Sequence, residues 1–138
     1  MRPDTFRPRM PQPMPAPTLA ETIAQYGHDA YLLTIANDGP HTSFGSVDLK
    51  GNVIACAIGK SAARNIASKP NVSLFWPPKE PGGYGLVVNG IATERRAPSG
   101  VKTAEITLTK SVLHRPGPKA PDIDEPCASD CQRVTRPA

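Results

Sequence analysis

The chain has 138 residues, a formal net charge of +4 and 17 prolines, a length that suits one domain. Aromatic residues make up only 5% of it, and much of the excess positive charge lies near the two ends, which argues against nucleic-acid binding. It contains neither an apolar secretory region near its start nor an apolar stretch of about 18 residues, so we expect a cytoplasmic protein with no membrane partner.

The two ends differ in composition from the middle of the chain. Residues 1–17 carry six prolines and three arginines, which predicts a disordered N-terminal segment. The chain is again proline-rich and polar from residue 116 onward, so we expect a domain over residues 18–115 and a flexible tail over 116–138. A core of about a hundred residues is close to the lower limit of what packs well alone, and we therefore expect a homodimer.

The hydrophobic pattern predicts two short helices and six strands. Thr18 and Glu21 form a capping box for a first helix, and Leu19, Ile23 and Tyr26 follow at helical spacing. Strands are expected over residues 30–36, 41–49, 53–58, 72–76, 84–93 and 101–113, with turn residues between them. The second helix covers residues 61–68. This pattern favours a mainly β fold, an antiparallel barrel or sandwich.

An anion site is predicted where the third strand meets the second helix. The apolar run over residues 53–58 ends at Gly59, and Lys60 and Ser61 follow at the start of the helix. Free N–H groups and the positive end of the helix dipole favour phosphate there, and Arg64 lies one turn further on the same helix face. The alternatives are that both cations only solvate the helix and that Ser61 is only its N-cap.

A nucleotide-binding P-loop is excluded for this segment. Gly59, Lys60 and Ser61 match the end of that motif, but the motif also requires a glycine at position 54, where this chain has isoleucine.

The three cysteines do not predict a metal site. Cys56 lies in an apolar strand and is expected to be a small core residue. Cys127 and Cys131 lie in the tail without the further ligands that zinc requires, and we interpret them as exposed thiols.

Several segments together resemble one known family. They are Tyr-Leu-Leu-Thr at 31–34, Asp-Gly-Pro-His at 38–41, Ile-Gly-Lys-Ser at 58–61, the stretch 63–76, and Asn-Gly-Ile-Ala at 89–92. Over residues 28–113 the chain is similar to the pyridoxamine 5′-phosphate oxidase-like family, the FMN-binding split barrels. The acidic, cysteine-containing tail resembles that of a small actinobacterial-type branch.

The resemblance implies a six-stranded antiparallel Greek-key split β-barrel that dimerises and holds FMN at the subunit interface. Its phosphate would lie at the corner from Lys60 to Arg64, and its ring along residues 43–48 and beside residues 55–56. In the oxidase itself an arginine–lysine pair stands where this chain has Ser61 and Ala62, and an arginine is replaced by Ser43. The cofactor-binding residues implied are Ser43, Ser46, Ala55, Cys56, Lys60, Ser61, Arg64, Asn65 and Trp76. Asn65 has helix–strand packing as its alternative role, and Trp76 has that of a core anchor.

The function implied is an FMN-dependent oxidoreductase that transfers hydride to or from flavin N5, with a small-molecule substrate. The chain shows no serine–histidine–aspartate, cysteine–histidine or paired-carboxylate constellation, which fits chemistry carried by a cofactor. No catalytic residue is assigned. The alternatives are a reductase using the deazaflavin coenzyme F-420, a non-catalytic flavin- or haem-binding protein, and an interaction protein that lost its ligand.

Overall fold

The computed structural model describes residues 18–116 and 129–134, so the segment predicted to be disordered over 1–17 lies outside the described residues. The helices are α1 (Leu19–Tyr26) and α2 (Lys60–Ser68). The strands are β1 (Asp29–Ala36), β2 (Gly39–Lys50), β3 (Val53–Ala57), β4 (Asn71–Trp76), β5 (Gly85–Arg96), β6 (Lys102–Pro116) and β7 (Ser129–Arg133). All eight predicted elements are present, and their bounds differ from those predicted by at most a few residues.

The first six strands form a closed antiparallel barrel. Their order is β3-β2-β1-β4-β5-β6, and β3 also pairs with β6 to close the ring. β1, β2 and β3 follow one another as a meander, and the chain then returns through α2 to place β4 beside β1. This is a Greek-key order, and it confirms the mainly β, six-stranded barrel that the sequence predicts.

One strand lies in the region predicted to be a flexible tail. β7 pairs antiparallel with residues 112–116 of β6, and the Val134 N–H donates to the Ser111 carbonyl oxygen at 2.9 Å. β6 is 15 residues long and pairs with β3 only over residues 103–107, so the rest of that edge has backbone groups to satisfy. The polar sequence of β7 lacks the alternation of apolar and polar residues by which a strand is recognised. Val134, directly after β7, is only 3% exposed.

The core fills the barrel and continues beneath α1. Inward-facing residues alternate with outward-facing ones, and Trp76, Ile54 and Leu74 are almost fully buried. The predicted capping box is confirmed, because Glu21 N–H donates to Thr18 Oγ1 and Thr18 N–H donates to Glu21 Oε1. The Trp76 ring N–H donates to the Gly27 carbonyl oxygen at 2.9 Å, which fixes the end of β4 against the end of α1.

Gly90 is required by a close approach between β5 and β6. A Cβ atom there would lie 2.5 Å from Ile106 Cγ2 and 2.6 Å from the Thr107 carbonyl oxygen, at a β-bulge between Asn89 and Gly90. We expect Gly90→Ala to lower the free energy of unfolding by roughly 1–3 kcal/mol in urea titrations, as overpacked substitutions do.

The matched control is Gly45→Ala, also in a strand. A Cβ atom there has one neighbour within 4 Å, the Ala57 carbonyl oxygen at an ordinary 3.7 Å. This variant should unfold at nearly the wild-type urea concentration. Equal stability of the two variants would show that the close approach at Gly90 is relieved at no cost.

Candidate functional site

The N-terminus of α2 has no capping side chain. Gly59 is the N-cap, and no side chain hydrogen-bonds to the cap. The first bond within the helix runs from the Ala63 N–H to the Gly59 carbonyl oxygen, which leaves the N–H groups of residues 60–62 without an acceptor in the helix. α2 begins at Lys60, so Ser61 lies in the first turn and is not the N-cap. The predicted anion corner therefore has backbone donors that the helix does not use.

Two exposed basic side chains lie near the N-terminus of α2. Lys60 and Arg64 are exposed and four residues apart, and neither forms an ion pair with any residue that the structure describes. Ser61 is half-buried between them. A helix N-terminus with nearby lysine and arginine side chains favours a phosphate or carboxylate group.

The barrel is split beside this corner. β3 pairs with only the last four residues of β2, Val47–Lys50. Residues 39–46 of β2 pair with β1 alone among the described strands. The chain leaves β3 at Ala57, whose carbonyl oxygen is close to Gly45, and turns into α2. The start of α2 thus lies near a strand edge whose backbone groups are not used by another strand.

The two predicted serines of β2 face opposite sides of the sheet. Ser43 is the cross-strand partner of the buried Leu32 and faces inward. Ser46 is the partner of Asp29 and faces outward, where its hydroxyl donates to Asp29 Oδ1 at 3.3 Å. Because side chains alternate along a strand, residues three apart do not line one surface.

The same rule separates the predicted pair on β3. Ala55 is half-buried opposite Asp48, on the outward side. Cys56 faces inward opposite Val47 and is 2% exposed. Burial raises the pKa of the Cys56 thiol to about 11. Cys56 is therefore a neutral core side chain, as expected for a cysteine in an apolar strand.

Asn65 and Trp76 make contacts within the fold. The Asn65 side-chain amide donates to Thr34 Oγ1 at 3.0 Å, which ties α2 to β1, and Asn65 is 7% exposed. Trp76 is at the end of β4 remote from α2 and is 1% exposed. These contacts match the packing and core-anchor roles. The structure thus brings Lys60, Ser61 and Arg64 together on one helix and places Trp76 apart from them.

The sequence analysis missed a row of apolar side chains across the outer face of the barrel. Phe44, Tyr31, Phe75 and Val87 are successive cross-strand neighbours on β2, β1, β4 and β5. Phe44 is 62% exposed and Tyr31 is 38% exposed, with their ring centroids 4.9 Å apart. The alternation of side chains in β1 and β2 could have predicted this row, because it places Tyr31 and Phe44 on the face opposite the core. An exposed apolar row of this kind is typical of an interaction surface.

His41 was also given no role by the sequence. It faces inward on β2 opposite Thr34, and its Nδ1 atom is buried without a hydrogen-bond partner. The sequence could have indicated this position, because His41 is two residues from Ser43 and side chains two residues apart lie on the same side of a strand.

Two grooves elsewhere on the surface contain none of the nine predicted residues. One, of about 360 Å³, is lined by residues of β1, β2, β4, β5 and β6, and the other, of about 310 Å³, lies between α1 and the loop before β5. Within residues 18–116 and 129–134 no three histidine, cysteine or acidic residues cluster as metal ligands. In the same part of the chain, neither helix has the length and apolar character needed to cross a membrane.

We expect Thr34→Val to destabilise the protein. Valine preserves the side-chain shape but leaves the buried Asn65 amide without its acceptor, at a cost of roughly 1–3 kcal/mol in the free energy of unfolding. Ser46→Ala is the control, because it removes a hydrogen bond from an exposed serine and should change stability by less than about 0.5 kcal/mol. Equal effects of the two substitutions in denaturant titrations would contradict a stabilising Asn65–Thr34 bond.

The raised pKa of Cys56 predicts slow thiol chemistry. In a variant with Cys127→Ser and Cys131→Ser, Cys56 is the remaining cysteine of the three. At about pH 8 its reaction with a thiol reagent should be at least about 100-fold slower in the native than in the denatured protein, since it is buried and protonated.

The raised pKa of Cys56 also predicts how its reaction rate and its contribution to stability change with pH. Because the folded-state pKa of Cys56 is raised to about 11, the native rate should increase with pH up to that value. The contribution of this thiol to stability is present below the pKa of an unfolded cysteine and is lost as pH rises from that value through the folded-state pKa of about 11. A native rate equal to the denatured rate would contradict burial of Cys56.

Solved structures share this fold. General Stress Protein 26 from Bacillus anthracis superposes with a TM-score of 0.59 at 18% identity, covering 82% of this chain and 94% of that one. A related protein of the pyridoxinephosphate oxidase family from Clostridium acetobutylicum gives 0.60 at 8% identity, covering 83% and 92%. The heme storage protein HutZ from Vibrio cholerae gives 0.54 at 13% identity, covering 67% and 92%. At these identities the likeness establishes the fold, a split barrel of the pyridoxamine 5′-phosphate oxidase type.

Two curated mycobacterial proteins match by sequence. The uncharacterized proteins Mb0449c of Mycobacterium bovis and MT0457 of Mycobacterium tuberculosis are each 35% identical over 77 residues. The match covers 54% of this chain and 54% of each relative, so the chain spans about half the length of the curated relatives it matches. No protein-family model matches the chain.

Proposed function

From this split-barrel fold of the pyridoxamine 5′-phosphate oxidase type, we propose that the protein binds FMN and acts as an oxidoreductase on a small organic substrate. When bound, FMN would supply hydride transfer at its N5 atom. The observation that carries the proposal is the open N-terminus of α2, where unused N–H groups, Lys60 and Arg64 meet beside the split edge of β2.

The residues present fit the phosphate end of this cofactor. Gly59 brings no side chain to the N-cap, so an anion has access to the backbone donors of the first turn. Arg64 offers a planar pair of donors and Lys60 a compact charge. Ser61 adds a hydroxyl donor. Together they supply the cationic environment that the arginine–lysine pair supplies in the oxidase.

The split edge of β2 fits the flat end of the cofactor. Backbone groups of residues 39–46 on the side away from β1 are free of strand pairing among the described residues, and Ser43 lies on the same stretch. Donors fixed by a strand and aimed at a ring edge stabilise negative charge without reorganisation. When bound, FMN supplies the hydride chemistry, and this chain's own residues position it and bind its charge.

A homodimer is part of the proposal. The candidate corner is exposed in one chain, and the apolar row of Phe44, Tyr31, Phe75 and Val87 is partly exposed on the outer face. A second copy seated on this row would bury aromatic surface, which is a favourable interaction in water. Two cofactor sites would then lie at the interface and be closed by both chains.

A non-catalytic carrier is the second candidate. HutZ from Vibrio cholerae, which shares the fold, is a heme storage protein. The deazaflavin coenzyme F-420 remains the alternative cofactor, since its phosphate would use the same corner.

The test is a titration of the full chain with FMN, followed by flavin fluorescence. Wild-type protein should bind at micromolar concentration. Lys60→Ala and Arg64→Ala should each weaken binding roughly 10- to 100-fold, because each removes a charge-assisted contact. Lys69→Ala is the matched control, since it removes an exposed lysine from the opposite end of the same helix and should bind as wild type.

The outcomes separate the candidates. Binding of coenzyme F-420 but not of FMN by the wild-type protein would identify F-420 as the cofactor. The corner would still be its proposed phosphate site. Binding of FMN that is unaffected by both substitutions would overturn the corner as the phosphate site. Binding of FMN without any oxidation or reduction of the bound FMN in turnover assays would favour the non-catalytic carrier.

A further inference from the structure

The groove lined by residues of β1, β2, β4, β5 and β6 has a composition unlike that of the predicted anion corner. It has a volume of about 360 Å³, and none of its lining residues is charged. Leu33, Ile35 and Ile91 form its apolar sides, with Ile35 40% exposed and Ile91 42% exposed. This volume falls within the range of small-molecule sites, which are mostly apolar with a few placed polar groups.

A polar pair is fixed among these apolar residues. The Ser73 hydroxyl donates to Asn89 Oδ1 at 2.7 Å, and both residues line the groove. This bond holds the Asn89 amide in one orientation and leaves its Nδ2 group with two hydrogens. Among the described residues, no acceptor is recorded for that group. Asn89 therefore offers a preoriented, neutral donor in the groove.

A β-bulge supplies a second donor. Asn89 pairs with Lys110 and Gly90 with Leu108, so Thr109 is the extra residue on β6. Thr109 is exposed and lines the groove. Bulges redirect side chains and are enriched beside binding sites. Gly90, at this bulge, also lines the groove. A Cβ atom at this position would collide with β6.

We propose that this groove binds an uncharged aromatic compound carrying a carbonyl group, such as an aromatic amide or a quinone. The ring packs between Ile35 and Ile91, and the carbonyl oxygen accepts from the Asn89 amide and the Thr109 hydroxyl. A carboxylate in the same position gains no ion pair from the lining residues and loses its hydration. Lys110 is the nearest cation in the strand register, but it is exposed and does not line the groove.

The groove and the predicted anion corner consist of different residues. Lys60 and Arg64 do not line this groove, and Asn89 and Ile91 do not lie at the start of α2. Loss of FMN binding in the corner variants would leave the groove intact, and failure of the groove would leave the corner intact.

The experiment is a titration of the full-length isotope-labelled protein with benzamide, and separately with benzoate, followed by NMR. Benzamide should shift the side-chain amide signals of Asn89 in a saturable manner, with a Kd of about 1 mM, typical of a fragment of this size. Benzoate has the same shape and should bind at least about tenfold more weakly, since its charge is not compensated.

Two variants locate the site. Ile91→Trp should abolish the shifts by filling the groove from an exposed position, whereas Val101→Trp, at another exposed apolar residue that does not line the groove, should not change them. Asn89→Leu keeps the side-chain size and should weaken benzamide binding roughly three- to tenfold through loss of one hydrogen bond. Urea unfolding of each variant establishes that the fold is retained.

Three results would overturn the proposal. They are absence of saturable shifts with wild-type protein, equal binding of benzoate and benzamide, and benzamide binding that survives Ile91→Trp. Covering of the groove by a second copy would give the first of these results.

Discussion

β2 is twelve residues long and β3 is five, and the architecture of the candidate site follows from this difference. β3 pairs with the last four residues of β2 and then leaves it, so the first part of β2 has no strand on that side among the described residues. Backbone groups at an exposed strand edge require other partners, which are supplied by water, a ligand or another element. The split in the barrel is therefore a direct result of where β3 ends.

α2 is held beside this split by a buried polar contact and by apolar packing. The Asn65 side-chain amide donates to Thr34 Oγ1, and Ala62 and Ile66 are buried on the same side of the helix. The opposite side carries Lys60 and Arg64 in solvent. One helix thus serves both purposes, because its buried face fixes its position and its uncapped first turn stays available to an anion.

The outer face of the barrel divides into two surfaces of different chemistry. The apolar row from Phe44 to Val87 crosses four strands and suits a broad, flat contact. The groove containing Asn89 is concave and carries oriented donors, which suits a small ring. The bulge beside Gly90 contributes to the second surface, since it adds a residue to β6 at that point.

The sequence by itself determined the elements and the strand-to-helix junction at which the anion site is predicted. Alternation, turn residues and the capping box are local properties, so the two helices and the six barrel strands are readable along the chain, as is the junction from Gly59 to Arg64. The tertiary structure decided which candidates share a surface. Ser43 and Ser46, like Ala55 and Cys56, are neighbours in sequence but face opposite sides, and their assignment depends on which face of each strand is buried. Asn65 forms its hydrogen bond with Thr34, 31 residues away. The groove joins residues from five strands, and β7 pairs with the part of β6 that extends beyond β3. Both features depend on contacts between distant segments that no local pattern encodes.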